Sequence, residues 1–168
     1  MKQVGPILVL TLAFGVCLGM LMQHDLKLER ARAERAKLSR ALKLERVVDG
    51  DTVYIRYFPK EPIQGKLRLL RINTPERGCK GYKEATNALK GLLEGKKLSV
   101  KYEVKGVQVT GGYGRLLVYL YAGKLNVNVE MVRLGWSMFY TKYGEGRLAE
   151  DFKRAEAEAR KARRGLWK

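Results

Sequence analysis

The sequence predicts an α+β domain that is mainly β-barrel: five strands, partly open, with three helices. Three observations predict it. Residues 52–57 alternate Val53, Ile55 and Tyr57 against Thr52, Tyr54 and Arg56, which is the period of a strand. A single stretch with helical spacing separates the third predicted strand from the fourth. Two more strands follow it, and the chain closes on two helices. A five-stranded, partly open barrel with a helix between strands three and four is the oligonucleotide-binding (OB) fold.

Taken in order, Leu42–Val48 reads as the first strand, Thr52–Tyr57 as the second and Lys66–Ile72 as the third. Tyr82–Glu94 carries Ala85, Ala88, Leu89, Leu92 and Leu93 at helical spacing. Leu98–Val104 and Leu116–Tyr121 complete the strands. Val127–Leu134 is a short helix closed by Gly135. Leu148–Arg163 is longer, with Phe152, Ala155, Ala159 and Ala162 on one face and Gly165 beyond its end.

Two segments precede the barrel. Val4–Met22 holds no charged residue, and its 19 positions reach roughly 28 Å as a helix at ~1.5 Å per residue, enough for a bilayer core. No small-x-small cleavage pattern follows Met22, which favours a retained anchor over a removed signal peptide. Residues 25–45 are rich in Ala, Leu, Glu, Lys and Arg, without Gly or Pro, and read as a basic helix. The expected organisation is a transmembrane signal anchor at 1–23, a basic helical stalk at 24–42 and the barrel domain at 43–168.

Composition removes several chemistries. Cys17 and Cys79 are the only cysteines, and Cys17 lies in the apolar run, so no disulfide framework is possible. The single histidine, His24, excludes clustered His/Cys zinc ligands and a Ser-His-Asp arrangement. Any metal must be held by oxygen, which points to calcium or magnesium. The 34 Lys and Arg against 17 Asp and Glu give a formal charge of +17, which favours a polyanionic partner, either nucleic acid or anionic lipid. From Val47 onward there are 25 basic and 13 acidic residues, so the excess is not confined to the stalk.

Four features could carry chemistry. Asp49-Gly50-Asp51-Thr52 forms a turn whose carboxylates can face a hard cation. Arg68 lies on the third strand, and Asn73-Thr74-Pro75-Glu76 follows where that strand ends. Tyr113-Gly114-Arg115 precedes the fifth strand. Each alone is ordinary: a hairpin, an ion-pair arginine, a loop carboxylate. Together they supply what phosphodiester hydrolysis needs: a base for water, a cation to screen the phosphate, and donors for the transition state.

Asp49-Gly50-Asp51-Thr52-Val53, Arg68-Leu69-Leu70-Arg71-Ile72-Asn73-Thr74-Pro75-Glu76 and Tyr113-Gly114-Arg115-Leu116-Leu117-Val118-Tyr119 resemble the three signature segments of the staphylococcal nuclease (thermonuclease) family, in its order and spacing. Asn126-Val127-Asn128, Leu134-Gly135 and the closing Arg164-Gly165-Leu166-Trp167 are similar to that family's C-terminal part. The resemblance implies a nuclease that cleaves the 5′ P–O bond of DNA or RNA and leaves a 3′-phosphate. It implies Glu76 as general base, Arg68 and Arg115 as the phosphate-binding pair, and calcium (Ca2+) held by Asp51, the Asn73 position and the Thr74 backbone carbonyl. Asn73 departs from the family's usual Asp, so weaker calcium binding is expected. Tyr113, Tyr143 and Lys83 are candidate substrate contacts, through stacking or through charge along the phosphate backbone. Tyr140 reads as an ordinary half-buried aromatic.

A membrane-anchored calcium-dependent endonuclease is therefore the expectation. The alternatives are a binding-only barrel that has lost catalysis and a basic structural protein on a lipid surface. Lys27, Arg30, Arg32, Arg35, Lys37 and Arg40 after the span favour a cytoplasmic domain, whereas a degradative role favours the extracellular face. No protein partner is implied, and the catalytic domain is expected to be a monomer.

Overall fold

Strand β1, Leu42–Val47, and strand β2, Thr52–Tyr57, pair antiparallel because the Asp49–Asp51 turn joins two runs of strand-forming residues. The computed structural model that carries these elements describes residues 22–30, 42–57, 63–104 and 110–168. The chain divides into two units, Met1–Lys37 and Leu38–Lys168. In the first, helix α1 covers residues 22–30, with each residue exposed. The predicted span at Val4–Met22 lies, apart from Met22, outside the described residues, as does the stalk beyond residue 30. Among the described residues no helix is long and apolar enough to cross a membrane.

In the second unit, β3 (Ile63–Leu69) pairs antiparallel with β2 and parallel with β6 (Leu116–Ala122). β5 (Leu98–Lys101) and β7 (Leu125–Asn126) pair antiparallel with β6. The order β1-β2-β3-β6-β5 is a curled OB-type sheet. No ladder joins β1 to β5 among the described residues, so the barrel is half-open. A separate two-stranded ladder joins β4 (Ile72–Asn73) to β8 (Met138–Phe139).

Three helices cover the sheet, as predicted: α2 (Tyr82–Leu93), α3 (Val127–Arg133) and α4 (Ala149–Lys161). Their apolar stripes meet the inner faces of the strands. Val53, Leu67, Leu69, Val118 and Leu120 from the sheet, Leu89 from α2, Met131 from α3 and Phe152 from α4 are all fully buried or nearly so. Phe139 stacks on Phe152 with centroids 5.1 Å apart, which ties β8 to α4. Asn128 is wholly buried and satisfied: its Oδ1 accepts from Leu120 N–H at 2.9 Å, and its Nδ2 donates to the carbonyls of Leu70 and Val118 at 2.9 and 3.0 Å. That side chain locks α3 to β6 and to the segment leaving β3.

Two strand ends differ from expectation. The third strand stops at Leu69 rather than Ile72, because Leu70 and Arg71 turn and Arg71 takes a left-handed φ of 62°. The fourth stops at Lys101 rather than Val104, where Glu103 leaves the ladder for other partners. The short β4, β7 and β8 had no sequence signal of strand length.

Candidate active site

The register Thr52↔Arg68 sets the β1–β2 turn beside the end of β3. Within the turn, Asp51 N–H donates to Asp49 Oδ1 at 3.1 Å, closing an Asx turn. Gly50 is required by packing: a Cβ there would meet Thr74 Oγ1 at 2.7 Å and the Ala85 Cβ at 2.9 Å. The turn is thereby pressed against Thr74 and α2, with Asp51 turned inward.

Asp51 is buried and crowded with donors. Its Oδ1 accepts from the Thr52 hydroxyl at 2.9 Å, and its Oδ2 accepts from Thr74 N–H at 3.2 Å. Arg68 Nη2 lies 2.9 Å from the same Oδ2. Burial pushes the carboxyl up to about 6; Arg68 and the Thr74 amide oppose this, while the Asp49 charge adds to it. Burial also pushes the Arg68 guanidinium below its ordinary value, and the nearby Arg115 charge adds to that; Asp51, Asp49 and Glu76 act against it. Arg68 stays protonated all the same. Its Nη2 also donates to Asn73 Oδ1 at 3.2 Å, so a carboxylate oxygen and an amide oxygen converge on one cationic nitrogen.

Asn73 is exposed but its backbone is fixed. Its N–H donates to Ser137 Oγ at 2.8 Å, and the buried Ser137 hydroxyl returns toward the Asn73 and Met138 carbonyls. Glu76 stands exposed beyond Thr74-Pro75. Arg115 follows the tight turn Gly112–Gly114, in which Tyr113 takes a left-handed φ of 65°, and its guanidinium lies 5.6 Å from the Tyr113 ring centroid. Tyr113 is 94% exposed and Tyr143 74% exposed, unusual for rings with no structural duty. Asp51, Arg68, Asn73, Glu76, Tyr113, Arg115 and Tyr143 share one cleft of about 640 Å³. Thr74 lies buried beneath it, and Lys83 stands exposed on α2 outside its lining.

Two further residues shape this cleft: Tyr140, half-buried as the sequence suggests, and Arg71, which the sequence did not single out. Tyr140 lines it, with its ring 6.1 Å from that of Tyr143 and set edge-on. Arg71 forms the wall behind both. Its carbonyl accepts from Tyr140 N–H at 2.9 Å, and its Nη1 donates to the Tyr143 and Gly144 carbonyls, each at 2.7 Å. Its Nη2 meets Glu103 at 3.3 Å, and Glu103 also accepts from the Tyr119 hydroxyl and from Arg147 N–H. Burial alone would raise the Glu103 carboxyl, but these donors together hold it below its ordinary value. The only available signal for Arg71 was a second arginine inside the Arg68–Glu76 segment.

The family model described as staphylococcal nuclease homologue matches residues 66–168, more than half of the chain. The chain belongs to the staphylococcal nuclease family. It is a nuclease, a hydrolase of phosphodiester bonds. An uncharacterized endonuclease of Escherichia coli O157:H7 is 33% identical over 123 residues, covering 73% of each chain. The endonuclease Htp3 of Saprolegnia parasitica is 29% identical over 195 residues, covering 95% of this chain and 89% of its own. The thermonuclease of Staphylococcus hyicus is 28% identical over 131 residues, covering 74% of each.

Proposed function

We propose that this nuclease is a calcium-dependent endonuclease acting on DNA or RNA, with Glu76 as general base and Arg68 and Arg115 as the phosphate-binding pair. One observation carries the reading: a free-standing carboxylate and two arginines share a cleft with a set of oxygen donors and exposed tyrosines. Glu76 takes a proton from water as the water oxygen bonds to phosphorus. The 5′ oxygen leaves with the electron pair of its bond and takes a proton from solvent. Arg68 and Arg115 donate hydrogen bonds to the phosphoryl oxygens as negative charge grows there.

The donor set fits a hard cation. Asp51 Oδ2 and Asn73 Oδ1 already converge on a positive charge, and among the described residues no sulfur or imidazole lines the cleft. Asp51, the Asn73 amide and the Thr74 carbonyl would hold calcium, which would supply charge neutralisation at the scissile phosphate. Arg68 now occupies both Asp51 and Asn73, so it must turn to substrate for these oxygens to face a metal. The uncharged run Val4–Met22 supports a membrane tether, to be tested by whether the protein sediments with membranes and resists salt extraction.

The test is cleavage of denatured DNA, duplex DNA and RNA by the full chain, with calcium, magnesium or a chelator, beside Glu76→Gln. We expect calcium-dependent cleavage. The Glu76→Gln variant should bind DNA as the parent does and lose about 10²–10⁴-fold in turnover. Unchanged turnover removes Glu76 as the base. Salt-sensitive binding without cleavage in any metal makes the domain a binding module.

A further inference from the structure

The outer face of the sheet carries a second group of cations. On β2, Val53 and Ile55 point into the core and Tyr54 points away from it. On β3, Leu67 and Leu69 point inward, which leaves Lys66 and Arg68 on the outer face. The register joins these positions. A bulge in β1 at Glu45 sets Arg46 opposite Tyr54, and Tyr54 faces Lys66. Lys66 and Arg68, two residues apart on β3, share that face. Arg46, Tyr54 and Lys66 therefore form one row across three adjacent strands, about 10 Å long at ~4.8 Å per strand.

The row is built rather than incidental. The Arg46 guanidinium lies 4.2 Å and the Lys66 ammonium 5.4 Å from the Tyr54 ring centroid. A shared ring holds both heads in place, so less side-chain freedom is lost when an anion arrives. Neither cation has a carboxylate partner among the described residues; Glu45 is taken by Arg56 at 3.5 Å. The row ends at Lys66, on the same strand face as Arg68 of the cleft, so a chain of phosphates is the anion that fits it best.

We propose that Arg46, Tyr54 and Lys66 form an accessory track that grips single-stranded nucleic acid flanking the scissile phosphate. Arg46 and Lys66 take one backbone phosphate each, and Tyr54 sets their spacing. The proposal rests on the nuclease reading, and it makes the enzyme favour long strands over short ones. An OB sheet offers this face to strands in other settings, which makes the route sterically reasonable.

The test compares the full chain with Arg46→Gln/Lys66→Gln, using a fluorescent single-stranded DNA of about 20 nucleotides and another of about 3. Binding is followed by anisotropy in chelator across a salt series, and cleavage is followed in calcium. Two lost phosphate contacts should make the plot of log K against log salt shallower by about 1.4, at ~0.7 per contact on single strands. KM for the long strand should rise roughly tenfold, with kcat unchanged and the short substrate altered by less than about twofold. Arg46→Lys/Lys66→Arg should restore the slope, which a purely structural role does not predict. If the double variant fails to fold, Lys66→Gln alone should give about half the change in slope. An unchanged slope with an unchanged length preference overturns the track. Loss of binding to phosphatidylserine vesicles with an unchanged oligonucleotide slope overturns it in favour of a lipid-facing surface. Absence of cleavage by the parent in every metal instead overturns the nuclease reading, and the slope still decides the track.

Discussion

Asp51 is pulled two ways: burial disfavours its charge, and Arg68 at 2.9 Å supports it. The result is a carboxylate still largely ionised at neutral pH but held at about 6, a group that gains when a cation arrives. Asn73 shares the same arginine nitrogen and contributes only a dipole. Replacing it with Asp adds a full negative charge where Asp51 Oδ2 already points. Asn73→Asp should therefore lower the calcium concentration for half-maximal cleavage on the order of tenfold, read from a calcium titration of initial rates. No shift in that titration would mean that residue 73 does not face the ion. At this scale the sequence was informative wherever the chemistry is local. The turn Asp49–Asp51, the segment Arg68–Glu76 and the pair Tyr113–Arg115 name most of the cleft, because each is a short run at a strand end. Lys83 stands exposed on α2 and is not among the residues that line the cleft, and nothing in a helical charge pattern reports which way an exposed lysine faces.

The element that sequence could not show is the loop after β8, because the Arg71 and Glu103 contacts that hold it are distant in the chain. Arg71 binds residues 143 and 144, and Glu103 joins residues 71, 119 and 147. No window of neighbouring residues contains such a network, whereas the strands and helices, written in periods of two and 3.6, were legible to within a few residues. Gly146 seats the loop: with φ 77° it lets the backbone approach where a Cβ would meet Arg71 Nε at 2.6 Å. Glu103→Gln leaves the half-buried Arg71 guanidinium without its counter-charge and should cost about 1–2 kcal/mol, seen by urea denaturation at pH 7. The pH dependence has a definite sign. A carboxyl held below its ordinary value in the folded state stabilises fully above the unfolded value and loses that contribution as pH falls through the folded one. The stability gap between parent and Glu103→Gln should thus narrow as pH is lowered from 6 toward 3. A gap independent of pH would show that the Gln change acts through packing. The C-terminal clasp is a second such element. Leu166 N–H donates to the Gly135 carbonyl at 2.9 Å, and a Cβ at Gly165, where φ is 52°, would strike the Gly135 backbone. Gly165→Ala should destabilise by about 1–3 kcal/mol, measured by thermal melting, unless the last four residues simply peel away.

For the whole molecule the question is which part of the +17 charge reaches the substrate. Much of the surface charge is self-neutralised. On α4, Arg154 pairs with Asp151 at 2.5 Å, Lys153 with Glu145 at 2.9 Å and Arg160 with Glu156 at 3.5 Å. Exposed pairs of this kind add little stability and leave little net field beyond a Debye length of about 8 Å at physiological salt. Arg46 and Lys66, on the sheet side near Arg68 of the cleft, are among the cations with no carboxylate partner among the described residues. Steering should then draw more on that side than on the paired Lys153 and Arg154 of α4. On this argument kcat/KM on a long single strand falls on the order of tenfold between 0.05 and 0.2 M salt, while kcat changes little, because screening weakens capture and not the chemistry. Lys153→Gln/Arg154→Gln removes two charges from α4 and should leave that salt dependence as it was, whereas Lys66→Gln, which removes one, should flatten it. Equal flattening by both variants would mean that the enzyme senses only its total charge, and that the asymmetry of the two faces has no part in substrate capture.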